Sequence, residues 1–159
     1  MEKFNFIIAP HPDDEIIGCY EILLKDEPLF ILYSSSTPQK RREEALKLRE
    51  YASIKAQFFQ NEIPPMIKPS TCTIYAPDPT YEYHPLHRKI GFQYESMARN
   101  GFDVVFYNTQ MNAPYIHELG EQVSKDKRTL LDTVYFSQNE LWAHDHKYFL
   151  FEGRCKWLF

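Results

Sequence analysis

The segment Phe4-Asn5-Phe6-Ile7-Ile8-Ala9, followed at once by Pro10-His11-Pro12-Asp13-Asp14-Glu15, constrains this chain most. The short run of Phe and Ile reads as a buried strand, and Glu15 to Lys25 then brings Ile16, Ile17, Tyr20, Leu23 and Leu24 to helical spacing. A strand, a tight loop and a helix therefore open the chain. Leu29 to Tyr33 is predicted as a second strand. Lys40 to Gln60 is predicted as a long amphipathic helix with Ala45, Leu48, Ala52, Ala56 and Phe59 on one face. Ile63 to Tyr83 is rich in proline and reads mostly as loop, with a short strand at Cys72 to Tyr75. A helix from about Arg88 to Asn100 with Gly101 as its C-cap, a buried strand at Asp103 to Tyr107, a helix at Lys127 to Phe136 and a last strand at Tyr148 to Phe151 complete the pattern. Parallel neighbours need a crossover that a helix usually supplies, so the alternation predicts an α/β fold with a mainly parallel sheet covered on both faces. Ligands of such sheets sit beyond the carboxyl ends of the strands, which directs attention to the loop after the first strand.

At 159 residues the chain has the size of one domain, and we read residues 1–159 as a single unit. The net charge of −4 comes from 22 acidic and 18 basic side chains mixed along the sequence, which disfavours nucleic-acid binding because no basic stripe is present. The apolar start is too brief for a signal peptide or a membrane span, and the expected location is cytoplasmic. Cys19, Cys72 and Cys155 form no C-x-x-C pair and are expected to be buried thiols rather than disulfides or zinc ligands. Homo-oligomerisation is left open.

His11-Pro12-Asp13-Asp14-Glu15 places an imidazole and three carboxylates within five residues at the end of a buried strand. A divalent ion would offset the repulsion between those carboxylates, and the helix N-terminus that follows favours negative charge. The alternative is that Asp13 or Asp14 caps the helix while His11 is an exposed loop residue. A second segment, His84-Pro85-Leu86-His87, opens a predicted helix, and His87 could complete a His, Asp, His set with the fourth position open, as catalytic zinc sites require. Such an ion acidifies water, and a nearby carboxylate can carry the proton. Two surface histidines at a helix start are the alternative.

Together, in this order, the two segments resemble the PIG-L/LmbE family of zinc-dependent N-deacetylases. That family carries an Ala-His-Pro-Asp-Asp-Glu loop after its first strand and a His-Pro-Asp-His segment farther on. Here the first motif matches from His11 to Glu15 with Pro10 in place of Ala. Arg41 and Glu44 look like the family's Arg-x-x-Glu, and Ser137-Gln138 resembles a family Ser-Gln, so the likeness spans most of the chain. The resemblance implies a Rossmann-like, LmbE-like sheet and one Zn2+ per chain, with Fe2+ or another divalent ion as the alternative. It implies that His11, Asp14 and His87 bind the metal, that Asp13 is the general base, and that His84 polarises the substrate carbonyl and stabilises the oxyanion. The implied substrate is a small N-acetylated amino sugar or conjugate of the N-acetylglucosamine type, with Arg41 as a substrate-binding residue for a hydroxyl or phosphate.

Leu86 departs from the family, which has an Asp there to orient the first histidine. Glu82 or Asp78 is expected to substitute, or the chain is slow, altered or a non-catalytic metal- or sugar-binding relative. A metal-dependent phosphoesterase is the competing enzyme class, although it usually needs two metals and more carboxylates. His144-Asp145-His146 is expected to be a solvated turn, and Lys40-Arg41-Arg42 has the alternative role of an exposed helix start paired with Glu43 and Glu44. His117 and Glu118 follow a strand end and receive no role.

Overall fold

The computed structural model describes residues 3–25, 27–34, 37–50, 56–58 and 68–157. Strands β1 (Phe4–Ala9), β2 (Leu29–Tyr33), β3 (Ala56–Phe58), β4 (Cys72–Pro77) and β5 (Asp103–Tyr107) pair in parallel in the order β3-β2-β1-β4-β5. The two-residue strand β8 (Arg154–Cys155) adds an antiparallel edge on β5. The order reverses at β1, so β1 and β4 are neighbours whose connections leave in opposite directions, the arrangement that opens a crevice at the carboxyl ends of a parallel sheet.

Side chains of β1 alternate between two apolar layers, as a strand covered on both faces must. Ile7 and Ala9 join Ile16, Ile17, Tyr20 and Leu23 of α1 (Asp14–Leu23) with Ala45 of α2 (Gln39–Lys47) and Leu131 and Val134 of α4 (Glu121–Val134). Phe6 and Ile8 join Ile90 and Tyr94 of α3 (Pro85–Arg99) on the other face. Leu24 is exposed, and Ile22 takes its expected place in the core. Gly91 in α3 is required by close approach: a Cβ there would lie 2.5 Å from the Pro77 carbonyl oxygen, so only glycine lets α3 settle on the end of β4 one turn beyond His87.

Three expectations are corrected. The helix predicted over Lys40 to Gln60 ends at Lys47 with a 3-10 turn at Leu48–Glu50, and Ala56–Phe58 instead pairs with the open edge of β2. Ala and Leu spacing is shared by helix and strand, and the unpaired backbone of β2 overrides the local preference; Ala52 and Phe59 lie outside the described residues. The strand expected at Tyr148 to Phe151 is largely the helical turn α6 (Lys147–Leu150), following α5 (Asn139–His144), and only Phe151–Glu152 (β7) pairs, with β6 (His117–Glu118). Cys155 is only partly buried, whereas Cys19 and Cys72 are buried and all three are free thiols. The remaining elements match, with α3 starting earlier at Pro85 and α4 earlier at Glu121. Among the described residues no helix is long and apolar enough to cross a membrane.

Beneath α1 lies a fully buried ion pair, Lys127 Nζ to Glu152 Oε2 at 2.8 Å. Helix α1 is kinked at Cys19, and the carbonyls beside the kink are captured: Lys127 Nζ donates to Ile17 O at 2.6 Å and Arg154 Nη1 to Gly18 O at 3.1 Å. Removing one member strands the other charge in the core. Glu152→Ala is therefore expected to lose about 3–5 kcal/mol of unfolding free energy in urea titration. A parental unfolding midpoint would show that Lys127 finds another counter-charge.

Candidate metal centre

The loop after β1 turns so sharply into α1 that Asp13 takes φ 120°, a sparsely populated conformation for a residue with a side chain. Such backbone costs of order 1–3 kcal/mol and persists only where its surroundings hold it. Here the hold is Glu15, wholly buried, whose Oε2 accepts from Asp13 N at 3.0 Å. Its Oε1 accepts from Tyr33 Oη at 2.8 Å and also from Tyr135 Oη. Burial pushes the Glu15 carboxyl up to about 7, against the opposing hydroxyl donors. The two tyrosines come from β2 and from the residue after α4, a convergence that no local pattern announces.

Asp13 occupies the N-cap position of α1, but its side chain makes no capping hydrogen bond and lines a cavity instead. That decides between its two readings. Asp14 lines the same cavity, with Oδ2 accepting from His11 N at 2.8 Å and lying 3.4 Å from His11 Nδ1. His87, in the first turn of α3, brings Nε2 to 3.1 Å from Asp14 Oδ2 and 3.1 Å from His11 Nδ1. His11, Asp14 and His87 are the one group among the described residues whose ligand atoms could hold a metal ion. Tetrahedral ligation at about 2.0–2.1 Å sets neighbouring ligand atoms about 3.3 Å apart, which is the spacing these three atoms already have.

The electrostatics ask for a cation at the same point. Burial disfavours the charged forms of both Asp14 and His87. Nevertheless the histidines hold the Asp14 carboxyl well below the usual range, and Asp14 with Glu82 raises the His87 ring to about 10. Positive charge is thus favoured between the Asp14 and Glu82 carboxylates, where a cation would be held. Burial, then Asp14 and Glu15, push the neighbouring Asp13 carboxyl well up, opposed by Arg41 and His87.

The cavity over this centre has a volume of about 360 Å³, within the range of small-molecule sites, and Asp13, Arg41, His84, Thr109 and Tyr148 share its lining with the three ligands. Arg41 reaches in from α2, and its Nη2 donates to Gln138 Oε1. Glu44, one turn on, accepts from Ser137 N at 3.1 Å and from Ser137 Oγ. The Arg-x-x-Glu and Ser-Gln pairs of the sequence therefore bind each other across 93 positions or more, which turns Arg41 into the cavity rather than leaving it on an exposed helix start.

His84 caps α3: its Nδ1 accepts from Leu86 N at 3.1 Å. With Nδ1 occupied as acceptor, the neutral ring carries its proton on Nε2. Burial and the neighbouring His11 and His87 lower its pKa, opposed by Asp14 and Glu82. The expected substitution of Glu82 or Asp78 for the missing acid is not found. Glu82 faces His87, with 3.5 Å from Oε1 to Nδ1, and Asp78 accepts from Thr80 N and Tyr115 Oη. The backbone of Leu86 orients His84, while the Leu86 side chain packs on the apolar layer beneath α3.

The other sequence candidates lie elsewhere. His144, Asp145 and His146 are exposed at the end of α5. His117 is exposed in β6, with Nε2 3.1 Å from Glu21 Oε1. Thr109 was given no role in the centre, since its partner Glu82 lies 27 positions away, and Glu82 was expected beside His84, not His87. No protein-family model, curated protein or solved structure matches this chain.

Proposed function

We propose that this chain is a metal-dependent hydrolase of the PIG-L/LmbE type that removes an N-acetyl group from an N-acetylglucosamine-like sugar or conjugate, with zinc as the metal. The convergence of His11, Asp14 and His87 beneath a cavity that also presents Asp13 and His84 carries this reading. The sheet order is compatible with a Rossmann-like, LmbE-like architecture, and the motif resemblance supplies the reaction class.

A zinc ion held by these residues supplies Lewis-acid activation of water and of the amide carbonyl. Asp13, buried beside the ligands yet uncommitted to capping, takes the proton from the attacking water and returns it to the departing amine nitrogen. His84 donates its Nε2 hydrogen to the carbonyl oxygen as negative charge develops there, a neutral donor of the oxyanion-hole kind. Arg41, fixed by Gln138, takes a hydroxyl or phosphate of the substrate remote from the amide. The hydrogen bond from the Leu86 amide to His84 Nδ1 supports this role for His84 in a chain that has Leu86 in place of the acid.

Metal-stripped protein given back zinc or ferrous iron, and assayed on a panel of N-acetylated sugars and conjugates, is expected to release acetate and free amine in equal amounts. Metal-loaded protein that binds such sugars without releasing acetate would instead make it a binding module. Two metals per chain with phosphate release would make it a phosphoesterase.

A further inference from the structure

We propose that Glu82 is a positioning residue for the metal centre, fixing His87 in the ring form that leaves Nε2 free to bind the ion. The inference rests on the metal-site reading above and adds a residue to it.

A neutral imidazole that offers its Nε2 lone pair to a cation must carry its proton on Nδ1. In this chain His87 Nδ1 is buried and has no hydrogen-bond partner, so a proton placed there needs an acceptor inside the protein. Glu82 Oε1 stands 3.5 Å away on that side of the ring. The carboxylate is itself wholly buried, and its ion-pair partner among the described residues is His87. Nor is it free to swing away. Its Oε1 accepts from Thr109 N at 2.8 Å, and Thr109 Oγ1 lies 2.9 Å from each carboxylate oxygen. Thr109 follows β5, whereas His87 belongs to α3, so the carboxylate ties the ligand-bearing helix to the sheet. His84 does not compete for it, since its own Nδ1 is occupied by Leu86 N.

A carboxylate so placed favours the Nδ1-protonated ring and raises the basicity of Nε2. Removal of such an outer partner typically weakens metal binding by roughly 10–100-fold. Glu82→Gln keeps the shape but removes the charge, and Thr109→Val removes one donor holding the carboxylate.

The test is zinc affinity of the full chain, measured by competition with a chromophoric chelator, with His87→Ala as the ligand-loss control. Glu82→Gln is expected to bind zinc roughly 10–100-fold more weakly than the parent, and Thr109→Val to lose less. In imidazole-region NMR of the zinc-loaded parent, His87 is expected to show a slowly exchanging Nδ1 proton that Glu82→Gln loses, a signature that a purely structural role would not move. A folded Glu82→Gln that binds zinc as tightly as the parent overturns the proposal. Should that variant fail to fold, unchanged affinity in Thr109→Val overturns it. A parent that binds no zinc overturns the metal centre itself and this inference with it, an outcome visible before any variant is made.

Discussion

Asp13→Asn is expected to bind one divalent ion per chain as the parent does and to lose roughly 10²–10⁴-fold in acetate release, the range that a positioned general acid–base group contributes. Asparagine has nearly the same volume and tolerates positive φ about as well as aspartate, so the strained turn at φ 120° and its Glu15 hydrogen bond survive the exchange. What is lost is a proton acceptor facing the cavity. Steady-state rates and metal content by elemental analysis of the same preparation separate the two effects. A variant as fast as the parent would remove Asp13 from the reaction.

His87→Ala is expected to be purified without metal. Its Nε2 is the contribution of α3 to the centre, arriving 3.1 Å from both Asp14 Oδ2 and His11 Nδ1. Loss of a direct ligand should exceed the roughly 10–100-fold cost of losing an outer partner, and a single histidine with one carboxylate leaves too few protein ligands for a catalytic zinc site. His11→Ala and Asp14→Ala should behave alike. Full metal occupancy in His87→Ala would move attention to His144 and His146, which lie exposed at the end of α5.

The ligands His11 and Asp14 were legible because they sit three residues apart across one strand-to-helix turn, where sequence spacing nearly fixes spatial spacing. His87 is brought in from 76 positions away, so its partnership with His11 and Asp14 was legible only from the two motifs taken together and not from local spacing. Glu82 shows the limit most clearly. Its position near His84 in the sequence suggested that histidine, and only the path of the chain into α3 turned it to His87.

The sequence by itself determined the strands β1, β2 and β5, the α1 and α3 helices and the α/β class. Each depends on local periodicity and on apolar runs that must be buried. It also determined that an acidic, histidine-bearing loop would stand at the carboxyl end of β1. Tertiary structure alone decided the rest. The open edge of β2 drew Ala56–Phe58 out of a predicted helix, and packing made Lys147–Leu150 a helical turn. The close seat of Gly91 on Pro77 placed α3 at the end of β4, while Tyr33 and Tyr135 met on Glu15 to hold Asp13 in its strained turn. These depend on which surfaces and buried polar groups find one another across the sheet, and a buried carboxylate or imidazole takes its partner from whatever the fold brings within hydrogen-bonding reach, not from its neighbours in sequence.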